Sequence, residues 1–148
     1  MTAEEIRKLV KRLDSSSNEE CQEAWERLRD LGPAVVPYLL EAYRSFRKAR
    51  GRVELVFHSI RYARTSEDAY QLGIIALSDK ATLVRYRACM LLAYSLRRDA
   101  VPHLKTLLTH ADAATVEDAK AAIDAIQSQN HNYFVDRTHT GRSFLSVS

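Results

Sequence analysis

The chain has 148 residues and a formal net charge of +3, with 46% apolar residues, four glycines, three prolines and two cysteines. This length suits one domain with a sizeable core, and the scarcity of glycine and proline excludes collagen-like and low-complexity chains. A charge of +3 permits a polyanionic partner without indicating one. The sequence contains no apolar run long enough to cross a membrane, so we expect a cytoplasmic protein with free thiols and no membrane partner.

The first third of the chain contains two capping boxes, in which Ser or Thr is followed three residues later by Glu. One begins at Thr2 and predicts a lone opening helix. The other begins at Ser17 and predicts a helix that runs to Leu31. Gly32 and Pro33 then end one helix and begin the next.

Further breaks divide the middle of the chain. The helix that begins at Pro33 is expected to end at Gly51, after a basic run that suits the negative end of the helix macrodipole. Residues 52–64 form the next predicted helix. Ser66 is a natural N-cap for a helix over residues 67–77.

The stretch from Asp79 to His110 predicts two amphipathic helices with a short polar break between them. Pro102 lies in the first turn of the second helix, where its missing N–H is tolerated. Apolar residues recur at helical spacing in both halves: Val84, Ala88, Leu91 and Leu92, then Ala100, Val101, Leu104, Leu107 and Leu108. One more helix, capped by Asp112 or Thr115, is expected to end near residue 129.

The apolar pattern recurs along the chain with a regular period of about 32 residues. In the first helices, the aligned positions are Ala24, Leu28 and Leu31; Val56, Ile60 and Ala63; Ala88, Leu92 and Ser95; and Ala119, Ile123 and Ile126. In the second helices, they are Leu39, Leu72 and Leu104, and Ala42, Ile75 and Leu107. Two independent sets with one period predict a protein built from repeated helical hairpins.

The central hairpin also resembles a known repeat. Val84-Arg85, then Ala88 and Leu91-Leu92, then Val101-Pro102-x-Leu104-x-x-Leu107-Leu108, resemble the HEAT repeat of α-solenoids. The resemblance implies an all-α, HEAT-like superhelix over residues 1–129, whose second helices line the concave face. Residues 130–148 lack a helical period, and a short hairpin around residues 140–141 or an extended tail fits them. We expect this tail to be a short non-helical cap on the last repeat.

We expect another protein to bind the second helices, which the resemblance to HEAT proteins places on the concave face. Projecting positions on these helices fall one repeat apart and predict a mixed polar and aromatic strip, with Tyr38 as its anchor. The predicted partner-binding residues, which we call the second-helix strip, are Tyr38, Glu41, Gln71, His103 and Thr106.

Arginine-rich turns offer a second candidate surface. Cationic side chains release counterions from phosphates, so the alternative function is that of a nucleic-acid-binding HEAT protein resembling the DNA glycosylases. The candidate phosphate-binding residues are Arg47, Lys48, Arg50 and Arg52. Interleaved carboxylates favour the simpler interpretation of a solvated surface. The arginine after valine, here Arg85, is commonly structural in HEAT repeats.

Few residues suggest catalysis. The tail holds His131, Asp136, Arg137 and His139, but no metal-ligand spacing organises them, and we expect them to hydrogen-bond within the tail or to the last helix. Trp25, the lone tryptophan, is expected to be a packing residue. No nucleophile elbow or phosphate loop is present. The sequence therefore predicts no enzyme, no catalytic residue, no metal and no cofactor, with a lyase-like or glycosylase-like HEAT enzyme as a rival class.

These observations together predict a monomeric, non-catalytic scaffold that binds another protein. Residues Asn130 to Arg137 also resemble the C-terminal segment of bacterial HEAT-type immunity proteins. This second resemblance implies an immunity or adaptor role.

Overall fold

Eight α-helices, joined by 3₁₀ turns, follow one another in the computed structural model, which describes residues 1–147. Their bounds are α1 Ala3–Lys11, α2 Asn18–Leu28, α3 Val36–Ala42, α4 Ala49–Ser59, α5 Glu67–Ala76, α6 Thr82–Ser95, α7 Val101–Lys105 and α8 Ala113–Gln127. No strand occurs within residues 1–147, so the predicted all-α class is confirmed. None of the helices described has both the length and the apolar character that crossing a membrane requires.

Side-chain caps begin four of these helices. Thr2, Ser17 and Ser66 accept hydrogen bonds from backbone N–H groups in the first turns of α1, α2 and α5, as predicted. Asp112, rather than Thr115, caps α8 by accepting from the N–H of Ala114 at 3.0 Å. Caps of this kind each contribute about 1 kcal/mol.

The helices form hairpins that stack side by side. Among the first helices, α6 packs against both α4 and α8, while among the second helices α3 packs against α5. The opening helix α1 covers α2 and α3. The predicted repeat positions lie in the core: Leu28, Ile60 and Leu92 are buried, as are Leu39, Leu72 and Leu104. The repeat register predicted from the sequence therefore holds, although Leu31 and Ile123 are only half-buried.

The helix predicted to run from Pro33 to Arg50 is shorter than expected. After α3, a 3₁₀ turn ends at Ser45, and Phe46 is extended and buried. The carboxylate of Asp14 accepts hydrogen bonds from the backbone N–H groups of the next two residues, at 2.9 and 3.0 Å. These two bonds form the turn between hairpins and let α4 begin at Ala49.

Gly51 consequently lies inside α4 and does not end a helix. A Cβ atom at this position would lie 2.5 Å from Oδ1 and 3.1 Å from Cα of Asp14. The glycine therefore permits close approach between α4 and the 3₁₀ turn Arg12–Asp14 that follows α1. Gly32, by contrast, has a φ of +59° and separates two helical segments, as predicted.

Ion pairs of two buried arginines tie the first helices to the turns that follow their hairpins. Arg52 on α4 contacts Asp79, with 2.8 Å between Nε and Oδ2. Arg85 on α6 contacts Asp112, which lies one repeat beyond Asp79, with 2.9 Å between Nη2 and Oδ2. Each pair links one hairpin to the start of the next, and the structural role expected of Arg85 is confirmed.

The tail folds back over the first helices through a 3₁₀ helix at His131–Phe134 and turns within residues 135–141, without forming a strand hairpin, and residues 142–147 have no turn or helix. Phe134 is 0% exposed and its ring lies 5.7 Å from that of Tyr86, whereas Val135 is 37% exposed. Leu145 and Val147 extend the tail to the surfaces of α4 and α6, where they border a hollow with Phe57, Ile60, Arg87 and Met90. Position 148 of the predicted tail lies outside the described residues. That the tail acts as a cap stays a prediction.

Candidate functional site

The opening helix covers the first part of the second-helix strip. The Nε of Arg7 lies 3.1 Å from Oε2 of Glu41, and its guanidinium lies over the ring of Tyr38 at 5.4 Å. Tyr38 is half-buried as a result. It borders a small hollow of about 170 Å³ between α1 and α3.

The remaining strip residues are exposed. Gln71 donates a hydrogen bond to Glu67 on its own helix at 3.0 Å, and Thr106 donates to the carbonyl of His103 at 2.6 Å. These bonds are local and do not join α5 to α7. Of the five strip residues, only Tyr38 and Glu41 border a common hollow. Partner binding on this strip therefore stays a prediction.

The four candidate phosphate-binding residues lie in three different environments. Arg52 is buried, and besides Asp79 its guanidinium donates to two backbone carbonyls. Arg50 is directed to the opposite side of α4, where it donates to the carbonyl of Ser16 at 3.3 Å. Arg47 and Lys48 are exposed on the inter-hairpin turn. The pairing of Arg52 corrects the expectation that its guanidinium is free to bind phosphate.

A different feature stands out on the first-helix side, a cleft of about 480 Å³ between α2 and α4. Elsewhere the first helices pack directly, α4 on α6 and α6 on α8. Here α2 and α4 both pack against the 3₁₀ turn Arg12–Asp14, which lies between them. This turn holds the two helices apart and leaves the cleft open.

Two helical faces line this α2–α4 cleft. The residues from the first wall are Asn18, Cys21, Gln22, Trp25, Glu26 and Arg29, which recur at the spacing of one helix face. The residues from the second wall are Arg50, Glu54 and His58, at intervals of four. The lining thus combines two carboxylates, two guanidinium groups and two side-chain amides with aromatic rings.

An aromatic stack spans the cleft. The rings of Trp25 and His58 lie 3.7 Å apart at an interplanar angle of 11°. His58 is further fixed by Glu54, with 2.9 Å between Nε2 and Oε2. The hydrogen bond from His58 holds the pKa of Glu54 below its ordinary value, against the opposing effect of burial. Glu54 is therefore a carboxylate at neutral pH.

Sequence patterns did not indicate this cleft. They predict only packing for Trp25 and no role for His58. One sequence feature could have indicated the stack of these two rings. Trp25 and His58 lie one repeat apart, which puts them at equivalent points of neighbouring first helices. The cleft between α2 and α4 depends on the turn at residues 12–14, which the repeat pattern does not describe.

The polar tail residues bond to the protein itself, as expected. His139 lies 2.6 Å from Asp124 of α8, and Arg137 lies 3.0 Å from Asp118. Asp136 accepts hydrogen bonds from the backbone N–H groups of Thr140 and Gly141. Within residues 1–147, no three His, Cys, Asp or Glu side chains are grouped to hold a metal ion.

Comparison with solved structures supports the repeat fold. Human deoxyhypusine hydroxylase, solved in complex with glycerol, superposes on this chain with a TM-score of 0.68 at 18% sequence identity. The match covers 84% of this chain and 44% of the hydroxylase chain, so this chain spans less than half of that protein's length. No protein-family model matches the chain, and no curated protein is significantly similar to it in sequence.

This likeness confirms the HEAT-like all-α fold and corrects the functional prediction. The expectation that this fold implies a non-catalytic scaffold and no enzyme is corrected, because a protein of the same fold is an enzyme. Folds host unrelated functions, so a solenoid fold does not argue against catalysis. At 18% identity the likeness establishes the fold alone. The chain has the HEAT-like helical-repeat fold that deoxyhypusine hydroxylase also has.

Proposed function

We propose that the chain binds an extended segment of another protein in the α2–α4 cleft. The observation that carries this proposal is the cleft between α2 and α4, which the Trp25–His58 stack bridges, whereas the later first helices pack directly. Recognition of a protein segment is needed equally by a partner-binding protein and by an enzyme with a protein substrate. The proposal therefore does not require the absence of catalysis.

The dimensions of the cleft suit a single extended chain. Its lining on the α2 side runs from Asn18 to Arg29, which corresponds to about 16 Å of helix. A volume of about 480 Å³ over that length gives a cross-section of about 30 Å², which admits one extended backbone and not two, because neighbouring strands lie about 5 Å apart and stacked sheets about 10 Å apart. About five extended residues therefore fit along the cleft.

The chemistry of the cleft also suits a peptide. Side-chain amides and charges of both signs can pair with the N–H and C=O groups of a backbone and with charged side chains. Trp and Arg are among the residues that most often dominate the binding energy of protein interfaces. Because His58 and Arg50 are already held by other groups, their ordering on binding has a small entropic cost.

The proposal is tested by panning a random peptide library on the full chain and measuring the selected peptides by the fluorescence of Trp25, the only tryptophan. Glu26 and Arg29 are exposed cleft residues, so Glu26→Gln with Arg29→Gln should weaken binding at least about tenfold, or about 1.4 kcal/mol. The matched control is Glu19→Gln with Arg27→Gln, at exposed positions on α2 outside the cleft lining. This control should change the affinity less than about twofold.

The second-helix strip provides the competing outcome. If the selected peptides bind the cleft double variant as they bind the original chain, but lose affinity when Tyr38→Ala and His103→Ala are combined, the binding surface is the strip. The same result would also support the HEAT-type partner-binding mode that the sequence resemblance implies. If neither pair of substitutions changes the affinity of the selected peptides, neither the cleft nor the strip is the binding site.

A further inference from the structure

A shallow basin of about 520 Å³ lies on the other side of α4, at the corner where two inter-hairpin turns meet. Its floor contains Arg52, Asp79 and Tyr43, and its rim carries the cationic side chains of Arg44, Arg47 and Lys80. None of these residues lines the α2–α4 cleft. We call this feature the basic basin.

The floor of the basic basin is electrically balanced. Asp79 accepts hydrogen bonds from Arg52 at 2.8 and 3.2 Å, from the N–H of Ala81 at 2.9 Å, and from the hydroxyl of Tyr43. Burial and the neighbouring carboxylate of Asp79 raise the pKa of Tyr43, so its hydroxyl stays protonated. The one positive and one negative charge of the floor therefore compensate each other.

The rim is not balanced. Within residues 1–147, the side chains of Arg44, Arg47 and Lys80 form no ion pair and no hydrogen bond, although all three are exposed. Some exposed arginines have a carboxylate partner, as Arg7 has Glu41, whereas Arg27 and Arg98 are unpaired among the described residues but lie outside the basin. Three unpaired cations around one basin repel one another, which destabilises the folded chain unless an anion compensates them.

The arrangement suits a single compact anion. The basic residues predicted to form a phosphate-tracking line do not form one, because Arg50 faces the α2–α4 cleft and Arg52 is paired with Asp79. Duplex DNA carries one charge about every 1.7 Å and requires a longer stripe of cations. A phosphate monoester carries a charge of about −1.5 to −2 with three acceptor oxygens, and arginine pairs with it through two parallel N–H groups.

We propose that Arg44, Arg47 and Lys80 bind the dianion of a phosphate monoester in the basic basin. The source is either a phosphorylated serine or threonine of a protein or a small phosphorylated molecule, since both present the same group. The site is separate from the α2–α4 cleft, so it stands or fails independently of the function proposed above.

The test is a calorimetric titration of the full chain with phenyl phosphate, with a short phosphoserine peptide, and with the same peptide unphosphorylated. Saturable binding of either phosphorylated probe, but not of the unphosphorylated peptide, is expected, and the tighter phosphorylated probe identifies the source. Arg44→Gln with Lys80→Gln should weaken this binding at least tenfold. Arg27→Gln with Arg98→Gln removes two charges at exposed positions outside the basin and should leave the affinity within about twofold.

Acidification gives a second readout. The second pKa of a phosphate monoester is about 6, so the affinity should fall several-fold between pH 7.5 and pH 5, where the ligand becomes a monoanion. The proposal is overturned if neither phosphorylated probe binds, if the basin and control variants lose affinity equally, or if a short oligonucleotide binds more tightly than both probes. Circular dichroism melting of both variants establishes that they are folded.

Discussion

Arg52 forms an ion pair with Asp79, and Arg85 forms the equivalent ion pair with Asp112 one repeat later. The two arginines lie one repeat apart in the sequence, as do the two aspartates. Both arginines are buried, and both aspartates lie in the turn that begins the next hairpin. The pairs therefore join successive repeats at one edge of the solenoid. A third contact, between Asp118 of α8 and Arg137 of the tail, has the charges exchanged.

Asp79→Ala should strongly destabilise the fold. The substitution leaves the guanidinium of Arg52 buried without its counter-ion, and removal of one partner of a buried pair typically costs about 3–5 kcal/mol. The control is Asp99→Ala, which removes an exposed partner of Arg97 and should cost less than about 1 kcal/mol. Urea denaturation of the three proteins measures the free energies of unfolding. Equal losses for the two variants would show that the Arg52–Asp79 pair has no special structural role.

The carboxylate of Asp112 should make stability depend on acidic pH. Hydrogen bonds from Thr82, Ala114, Thr115 and Arg85 outweigh burial and lower the pKa of Asp112 to about 2. A carboxyl group with a lowered pKa stabilises the fold above its unfolded pKa, about 3.9, and this contribution disappears as the pH falls towards the folded value.

The difference in unfolding midpoint between the original chain and Asp112→Asn should therefore be constant above about pH 5 and shrink between about pH 4 and pH 2. Urea midpoints measured at half-unit steps of pH test this. A difference that stays constant down to the lowest pH, or that grows, contradicts the assignment of Asp112 as an ionised cap and ion-pair partner.

Leu92→Ala tests the repeat register. Leu92 is 0% exposed in α6, between neighbouring first helices, and truncation of a buried leucine costs about 2–5 kcal/mol. Leu83→Ala is the matched control, because Leu83 lies on the same helix and is 66% exposed. Its effect should be below about 0.5 kcal/mol. If chemical denaturation shows equally small losses for both variants, the register is wrong.

Two phenylalanines test whether the tail acts as a cap. Phe134 is fully buried, whereas Phe144 is 69% exposed, so Phe134→Ala should cost about 3–5 kcal/mol and Phe144→Ala should have little effect. Truncation after Gln129 should lower the melting temperature and promote self-association, because it exposes the apolar surface of α8. If the truncated chain melts at the original temperature and stays monomeric, the tail is not a cap.

The fold was predictable because its signal is periodic. Apolar side chains that recur once in every repeat must face a continuous core, and the buried set Leu28, Ile60 and Leu92 follows from that alone. The capping residues at the starts of α1, α2 and α5 were predictable because their partners lie within the first turn of the same helix. The buried repeat positions and the helix caps can therefore be predicted from local and periodic sequence patterns alone.

The functional features were less predictable because they depend on contacts between residues distant in the sequence. An arginine count does not show that Arg52 meets Asp79, or that Arg50 faces the other side of the helix. Asp14 binds the backbone of a turn that lies a full repeat further along the chain, and this contact sets the start of α4 earlier than predicted. The α2–α4 cleft likewise results from a turn that separates two helices.

Peptide binding in the α2–α4 cleft is the central claim, and chemical-shift mapping tests it most directly. A ¹H–¹⁵N spectrum of the full chain should be recorded with and without a peptide selected by panning. We predict that the largest shifts fall on the backbone of α2 and α4 and on the indole N–H of Trp25. Shifts confined to α3, α5 and α7, with the Trp25 indole unchanged, would contradict the claim.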